Sequence, residues 1–98
     1  MGEHYSHTIW VVKAGRENEF VRRWSHFEQW SAAEGLTARA KLLRDVDHPN
    51  RFVSFGPWET LEAIRRWRTL PGFQEHAERL SEVLESFEPQ TLEEVFDR

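Results

Sequence analysis

The chain has 98 residues, enough for one domain and too few for two. It carries 17 Asp and Glu against 13 Lys and Arg, a formal charge of −4, so a surface that follows nucleic-acid phosphates is not expected. There is no Cys, which excludes disulfides and thiolate metal sites, while five Trp and seven Phe supply much large apolar surface for so short a fold.

Residues 1–6 read as a polar, loose start, with neither the basic end nor the apolar run of a signal peptide. From His7 to Lys13 the run is β-branched and aromatic, which predicts a strand. Its core, Ile9-Trp10-Val11-Val12, is far too short to span a bilayer, so a cytoplasmic protein without membrane contact is expected. Ala14-Gly15 turns the chain into a helix over Arg16 to Ala33. There Phe20, Trp24, Phe27 and Ser31 share one stripe, and Gly35 stands where a helix C-terminal cap belongs.

Thr37 to Arg44 alternates Ala38, Ala40 and Leu42 with Arg39 and Lys41, a strand pattern. Asp45 to Asn50 has turn chemistry, and Arg51 to Phe55 completes a hairpin. Thr60 can cap a short helix through Arg68. Pro71 suits the first turn of another helix, on which Phe73, Ala77, Leu80, Leu84 and Phe87 form a stripe up to Pro89. Gln90 to Phe96 then reads as the last strand.

Strand, helix, strand, strand, helices, strand is the split βαβ order of an α+β, ferredoxin-like fold with an antiparallel sheet, here one domain over residues 1–98. The strands carry apolar groups on both faces: Ile9 and Val11 against Trp10 and Val12, Phe52 against Val53 and Phe55. The helices can cover only one face, and the other would expose a large apolar patch on a monomer. A homodimer packed sheet to sheet is the expected cover, over a two-fold interface of about 1,600 Å² or more. The rival is a monomer whose C-terminal strand folds over the sheet.

Four segments resemble the antibiotic biosynthesis monooxygenase family: Lys13-Ala14-Gly15-Arg16-Glu17-Asn18-Glu19-Phe20 its strand-to-helix entry, Leu42 to Val53 its central hairpin, Pro57-Trp58-Glu59-Thr60-Leu61-Glu62-Ala63 its Trp-acidic helix start, and Leu70-Pro71-Gly72-Phe73-Gln74-Glu75-His76 the start of its last helix. Their order and spacing carry the likeness over most of residues 8–96. The resemblance implies a dimeric α/β barrel with a pocket in each subunit between helices and sheet. It implies, for some members, oxygenation of polycyclic phenols or quinols with neither metal nor flavin. Other members cleave haem. Fold membership specifies a reaction only weakly.

Cofactor-free oxygenation needs an electron-rich phenol or enol to lose a proton, after which the anion passes an electron to oxygen. The protein supplies a dry apolar pocket, a proton acceptor and donors for the anion. His76 and Trp67 are the candidate catalytic pair. Trp24, Trp30, Phe73 and Arg39 are the candidate substrate contacts, the aromatics as walls for a flat ligand and Arg39 as a partner for a phenolate. Trp58 and Trp10 read as packing residues. In the haem-cleaving branch of the resemblance, the Trp falls on Trp67, the His one residue beyond His76, and an Asn near Thr8. The spacings of His4, His7, His48 and His76 match no metal signature, so neither metal nor other cofactor is expected. Arg65, Arg66 and Arg68 make a basic cluster around Trp67.

The expected function is therefore a cofactor-independent monooxygenase acting on an aromatic phenol or quinol. The alternative is a non-catalytic binder of a small apolar ligand, or a haem-binding, haem-degrading enzyme. An RNA-binding module of the same topology is set aside: Phe52-Val53-Ser54-Phe55 fits its aromatic signature, but His48-Pro49-Asn50-Arg51 and the net charge do not.

Overall fold

A computed structural model describes residues 3–34 and 40–98. The elements run β1 (His4–Val12), α1 (Glu17–Ala32), β2 (Lys41–Arg44), β3 (Arg51–Trp58), α2 (Leu61–Thr69), α3 (Pro71–Ser81) and β4 (Leu84–Glu93). The four strands form one antiparallel sheet in the order β2-β3-β1-β4, the ferredoxin-like arrangement. The expected cap at Gly35 and the start of the strand expected at Thr37 lie outside the described residues.

Alternation on the strands sets the two faces. In β3, Phe52, Ser54, Gly56 and Trp58 are buried, while Val53, Phe55 and Pro57 are only partly covered. Pairing puts Trp10 opposite Phe52 and Thr8 opposite Ser54, so these β1 side chains share the helix-covered face. The core there joins Trp10, Val12, Phe52 and Trp58 to Phe20, Phe27, Ile64, Trp67, Leu80, Val83 and Leu84. The stripe read for the first helix holds: Phe20, Phe27 and Ser31 are buried and Trp24 packs at the core's edge. Gly15, at φ 86°, makes the turn before α1 in the left-handed region where a side chain is strained. Thr60 caps α2 as expected, its Oγ1 accepting from Ala63 N at 3.0 Å.

Several boundaries differ from the sequence reading: β3 runs on past Phe55 to Trp58, β4 stops at Glu93, short of Phe96, and two differences are larger. β1 begins at His4, not His7, because residues 4–6 pair with β3 on one side and β4 on the other. The stretch expected to be loose is thus largely strand. The last helix ends at Ser81, and Leu84 to Glu93 forms β4. Leu84 and Phe87 fit a helical stripe, but long-range pairing overrides that local pattern: Leu84 lies opposite Val12, and Phe87 opposite Trp10. Pro89 falls within β4 opposite Thr8, a position it can hold because β4 is an edge strand.

The α1–α3 contact depends on a missing side chain. A Cβ at Gly72 would lie 2.6 Å from Cζ2 and 2.8 Å from Cε2 of Trp30. Trp30 also meets Phe27 and His76, with ring centroids 6.3 and 5.2 Å away. We expect Gly72→Ala to lower stability by about 1–3 kcal/mol through overpacking, measured by urea unfolding. An unchanged midpoint would show that Trp30 moves aside freely.

Candidate functional site

Between the helices and the sheet lies a cavity of about 380 Å³. That is within the usual size of a small-molecule site. Its floor is Trp10, Phe87, Pro89 and Thr8 from β1 and β4, and its roof is Phe27, Trp67, Phe73, Ala77 and Leu80 from the three helices. Leu84 and the polar Arg68, Gln74, Glu78 and Ser81 complete the lining. A second cavity of only about 40 Å³ adjoins it. Thr8, Trp10, Phe27 and Trp67 line both, so these four side chains form the partition. The small cavity is hydroxyl-rich, with Ser6, Thr8, Ser31 and Ser54 in its wall and Glu28 beside them.

The aromatic walls are held by directed bonds. Trp10 Nε1 donates to Ser54 Oγ at 2.8 Å, Trp58 Nε1 to Ser6 Oγ at 2.9 Å, and Trp67 Nε1 to Ser31 Oγ at 2.9 Å. Ser31 in turn donates to Phe27 O at 2.8 Å. Trp67 is 6% exposed, and its ring lies against Trp58, Phe73 and Phe27 at centroid distances of 4.6, 4.8 and 5.6 Å. A ring pinned at its nitrogen and packed by three others has one orientation.

The sequence-predicted residues divide. Trp67 lines both cavities, Phe73 the large one, and Trp24 the small one together with an outer groove beside Leu42 and Phe52. His76 and Trp30 line none of these. His76 sits behind the roof, its ring 5.6 Å from Phe27 and 5.2 Å from Trp30. Burial, then the nearby Arg79 cation, push its pKa below the ordinary histidine value, so the ring is neutral at pH 7. The pocket-edge position expected for His76 is thus not what the packing gives it, and Trp30 serves the α1–α3 contact instead. Arg39 lies outside the described residues. Of the basic cluster, Arg65 and Arg66 are exposed, and only Arg68 reaches the cavity.

Thr8 and Ser54 were not singled out as site residues by the sequence. Alternation along β1 did place Thr8 on the face of Trp10, but the spacing to Ser54 becomes meaningful only with the register known. The Thr8 hydroxyl makes no hydrogen bond among the described residues and is available to a ligand. No three His, Asp or Glu side chains among the described residues converge as a cation site would need, and no histidine lines either cavity.

Removing the Ser31 hydroxyl strands a buried donor. Ser31→Ala is expected to cost about 1–3 kcal/mol in denaturant unfolding, the usual penalty for such a group. It should also shift the near-ultraviolet dichroism of the tryptophans. A change under about 0.5 kcal/mol would mean that packing alone holds Trp67.

Comparisons with known proteins place this geometry. An alanine variant of SnoaB, a cofactor-independent oxygenase from Streptomyces nogalater, superposes with a TM-score of 0.85 at 23% identity, over 97% of this chain and 96% of that one. A Bordetella bronchiseptica protein bearing the antibiotic biosynthesis monooxygenase name gives 0.85 at 20% identity, over 98% and 100%. A conserved protein from Methanosarcina mazei gives 0.82 at 17% identity, over 94% and 92%. At these identities the likeness is one of fold. No curated protein sequence matches the chain. The family model described as antibiotic biosynthesis monooxygenase matches residues 7–79, and the chain therefore belongs to that family.

Proposed function

We propose that the chain is a monooxygenase that binds a flat, electron-rich phenol or quinol in the large cavity and oxidises it with dioxygen, using neither metal nor flavin. The supporting observation is the cavity itself: rings of fixed orientation, an unengaged Thr8 hydroxyl on the partition, and family membership. Loss of the substrate proton gives an anion that passes an electron to oxygen. The radical pair combines to a hydroperoxide on carbon; loss of the remaining proton from that carbon breaks the O–O bond, leaving a carbonyl there and releasing water whose two hydrogens come from the substrate. Thr8 would hold the phenolate oxygen as a hydrogen-bond donor, and Trp10, Phe27, Trp67 and Phe73 would form the walls, with Trp24 behind them on the small cavity.

A second reading, a binder without turnover, is favoured by one feature. Among the described residues, the ionisable side chains lining the large cavity are Arg68 and Glu78, so the base this wall offers is the exposed Glu78 carboxylate. His76 does not line the cavity; its ring packs on Phe27, which does. The haem alternative loses support for the same reason, since no histidine in the lining is in place to ligate iron.

Oxygen uptake against a panel of quinols and polycyclic phenols, with chelator present, separates these readings. We expect uptake by the wild type and a fall of about 100-fold in Thr8→Val, which keeps the shape and removes the hydroxyl. Binding without any uptake across the panel would leave the binder. Uptake unchanged in Thr8→Val would remove Thr8 from the chemistry.

We further propose that two copies pack through the outer sheet face to form the barrel. Ile9, Val11, Val53 and Phe55 are only partly covered there, and Leu43 and Leu92 are 51% and 42% exposed. The tail does not shelter this face, for Val95 and Phe96 are 88% and 81% exposed. His7, on the same face, has a buried Nδ1 with no partner among the described residues. Sedimentation at micromolar concentration is expected to give a dimer, and Val53→Asp a monomer. A wild-type monomer would overturn this assembly.

A further inference from the structure

Arg68 is the unusual member of the large cavity's lining. It is half-buried at the end of α2, beside the ring of Trp67, with its guanidinium carbon 5.8 Å from that centroid. Its Nη2 donates to Gln90 O at 3.0 Å, and its Nη1 to the Thr91 hydroxyl. Both acceptors are neutral. An arginine has five N–H donors, so these two bonds leave three unassigned. The chain has more acids than bases, and Arg22 and Arg23 each find a carboxylate, yet no carboxylate lies within salt-bridge distance of Arg68 among the described residues. Burial alone draws its pKa down, as expected of a cation whose lost hydration no anion replaces.

We propose that the large cavity selects flat aromatic ligands bearing one carboxylate, with the ring system among Trp10, Phe27, Trp67 and Phe73 and the carboxylate on the Arg68 guanidinium. This inference rests on the proposed function, since it assumes that the large cavity is the ligand site, and it narrows the substrate class. β4 holds the guanidinium at the edge of an apolar space, with donors to spare, where a bidentate carboxylate fits the fork. The apolar floor and roof set no charge against it. Glu78, the other ionisable side chain in the lining, is exposed and accepts from Gln74 Nε2 at 3.2 Å. Arg65 and Arg66 are outside the cavity and take no part.

The test uses two probes of matched shape, anthracene-2-carboxylate and anthracene-2-methanol, with binding read by quenching of tryptophan fluorescence. The wild type is expected to bind the carboxylate at least about tenfold more tightly, the low end of a charge-assisted hydrogen bond. Arg68→Gln should remove that preference and leave the alcohol's affinity within about threefold. Salt should weaken the carboxylate more than the alcohol in the wild type, a readout that needs no variant. Equal affinity of the two probes, or a preference kept in Arg68→Gln, overturns the Arg68 assignment while leaving the cavity as the ligand site. Failure of both probes to bind overturns the cavity reading as well.

Discussion

Three indole N–H groups lie between the helices and the sheet, and each donates to a serine hydroxyl: Trp10 to Ser54, Trp58 to Ser6, Trp67 to Ser31. A buried indole donor without an acceptor costs more than its bond returns, so these pairings constrain where the rings can lie. The first two are reciprocal. Ser54 lies opposite Thr8, two residues from Trp10, and Ser6 lies opposite Gly56, two residues from Trp58. Each is a diagonal pair on one face, one running from β1 to β3 and the other from β3 to β1. The third ties α2 to α1. Together they hold the three layers of rings from which the cavity is made.

Away from the cavity the polar groups are satisfied in another way. Arg23 of α1 donates to Glu19 at 2.9 Å, to Glu82 at 2.7 Å and to Arg79 O at 2.6 Å, which joins α1 to the end of α3. The bonds from Arg23 and then Arg22 hold the Glu19 carboxyl down at about 2, below the usual carboxylate range. Charge is therefore consumed in clasps on the outside, and the cavity is left with Arg68 and Glu78.

The fold was legible in the sequence because its signals are local and agree with one another. Alternation in Phe52-Val53-Ser54-Phe55, the stripe through Phe20 and Phe27, and Thr60 before α2 each describe what the structure contains. The end of α3 was not legible. Leu84 and Phe87 continue a helical spacing from Leu80, yet β1 needs a partner on its free edge, and no local pattern reports that need. Of the cavity linings, Trp67, Phe73 and Trp24 were legible as large aromatics on helices that face the sheet. The place of His76 was not legible, because a helix start near it says which turn it occupies and not that its ring packs on Phe27 and Trp30. Thr8 was legible only by its place on β1, and the pairing of Ser54 with Trp10 was not, because that contact depends on the register across the sheet.

The period of two in β1 and β3 specifies both the interior of the domain and its outer face. One parity carries Thr8, Trp10, Ser54 and Trp58 to the cavity, and the other carries Ile9, Val11, Val53 and Phe55 outward. A slip of one residue between these strands would turn one strand's set over to the other face. Apolar groups on both faces make hydrophobicity a poor guard against that slip, since either set can be buried. The diagonal Trp–Ser pairs do discriminate. Were β1 the strand to slip, Trp10 and Ser6 would turn to the outer face while Ser54 and Trp58 stayed inside, and both Trp–Ser pairs would be broken. The bonds that fix the cavity walls are thus also what tell the sheet which of its two greasy faces belongs inside.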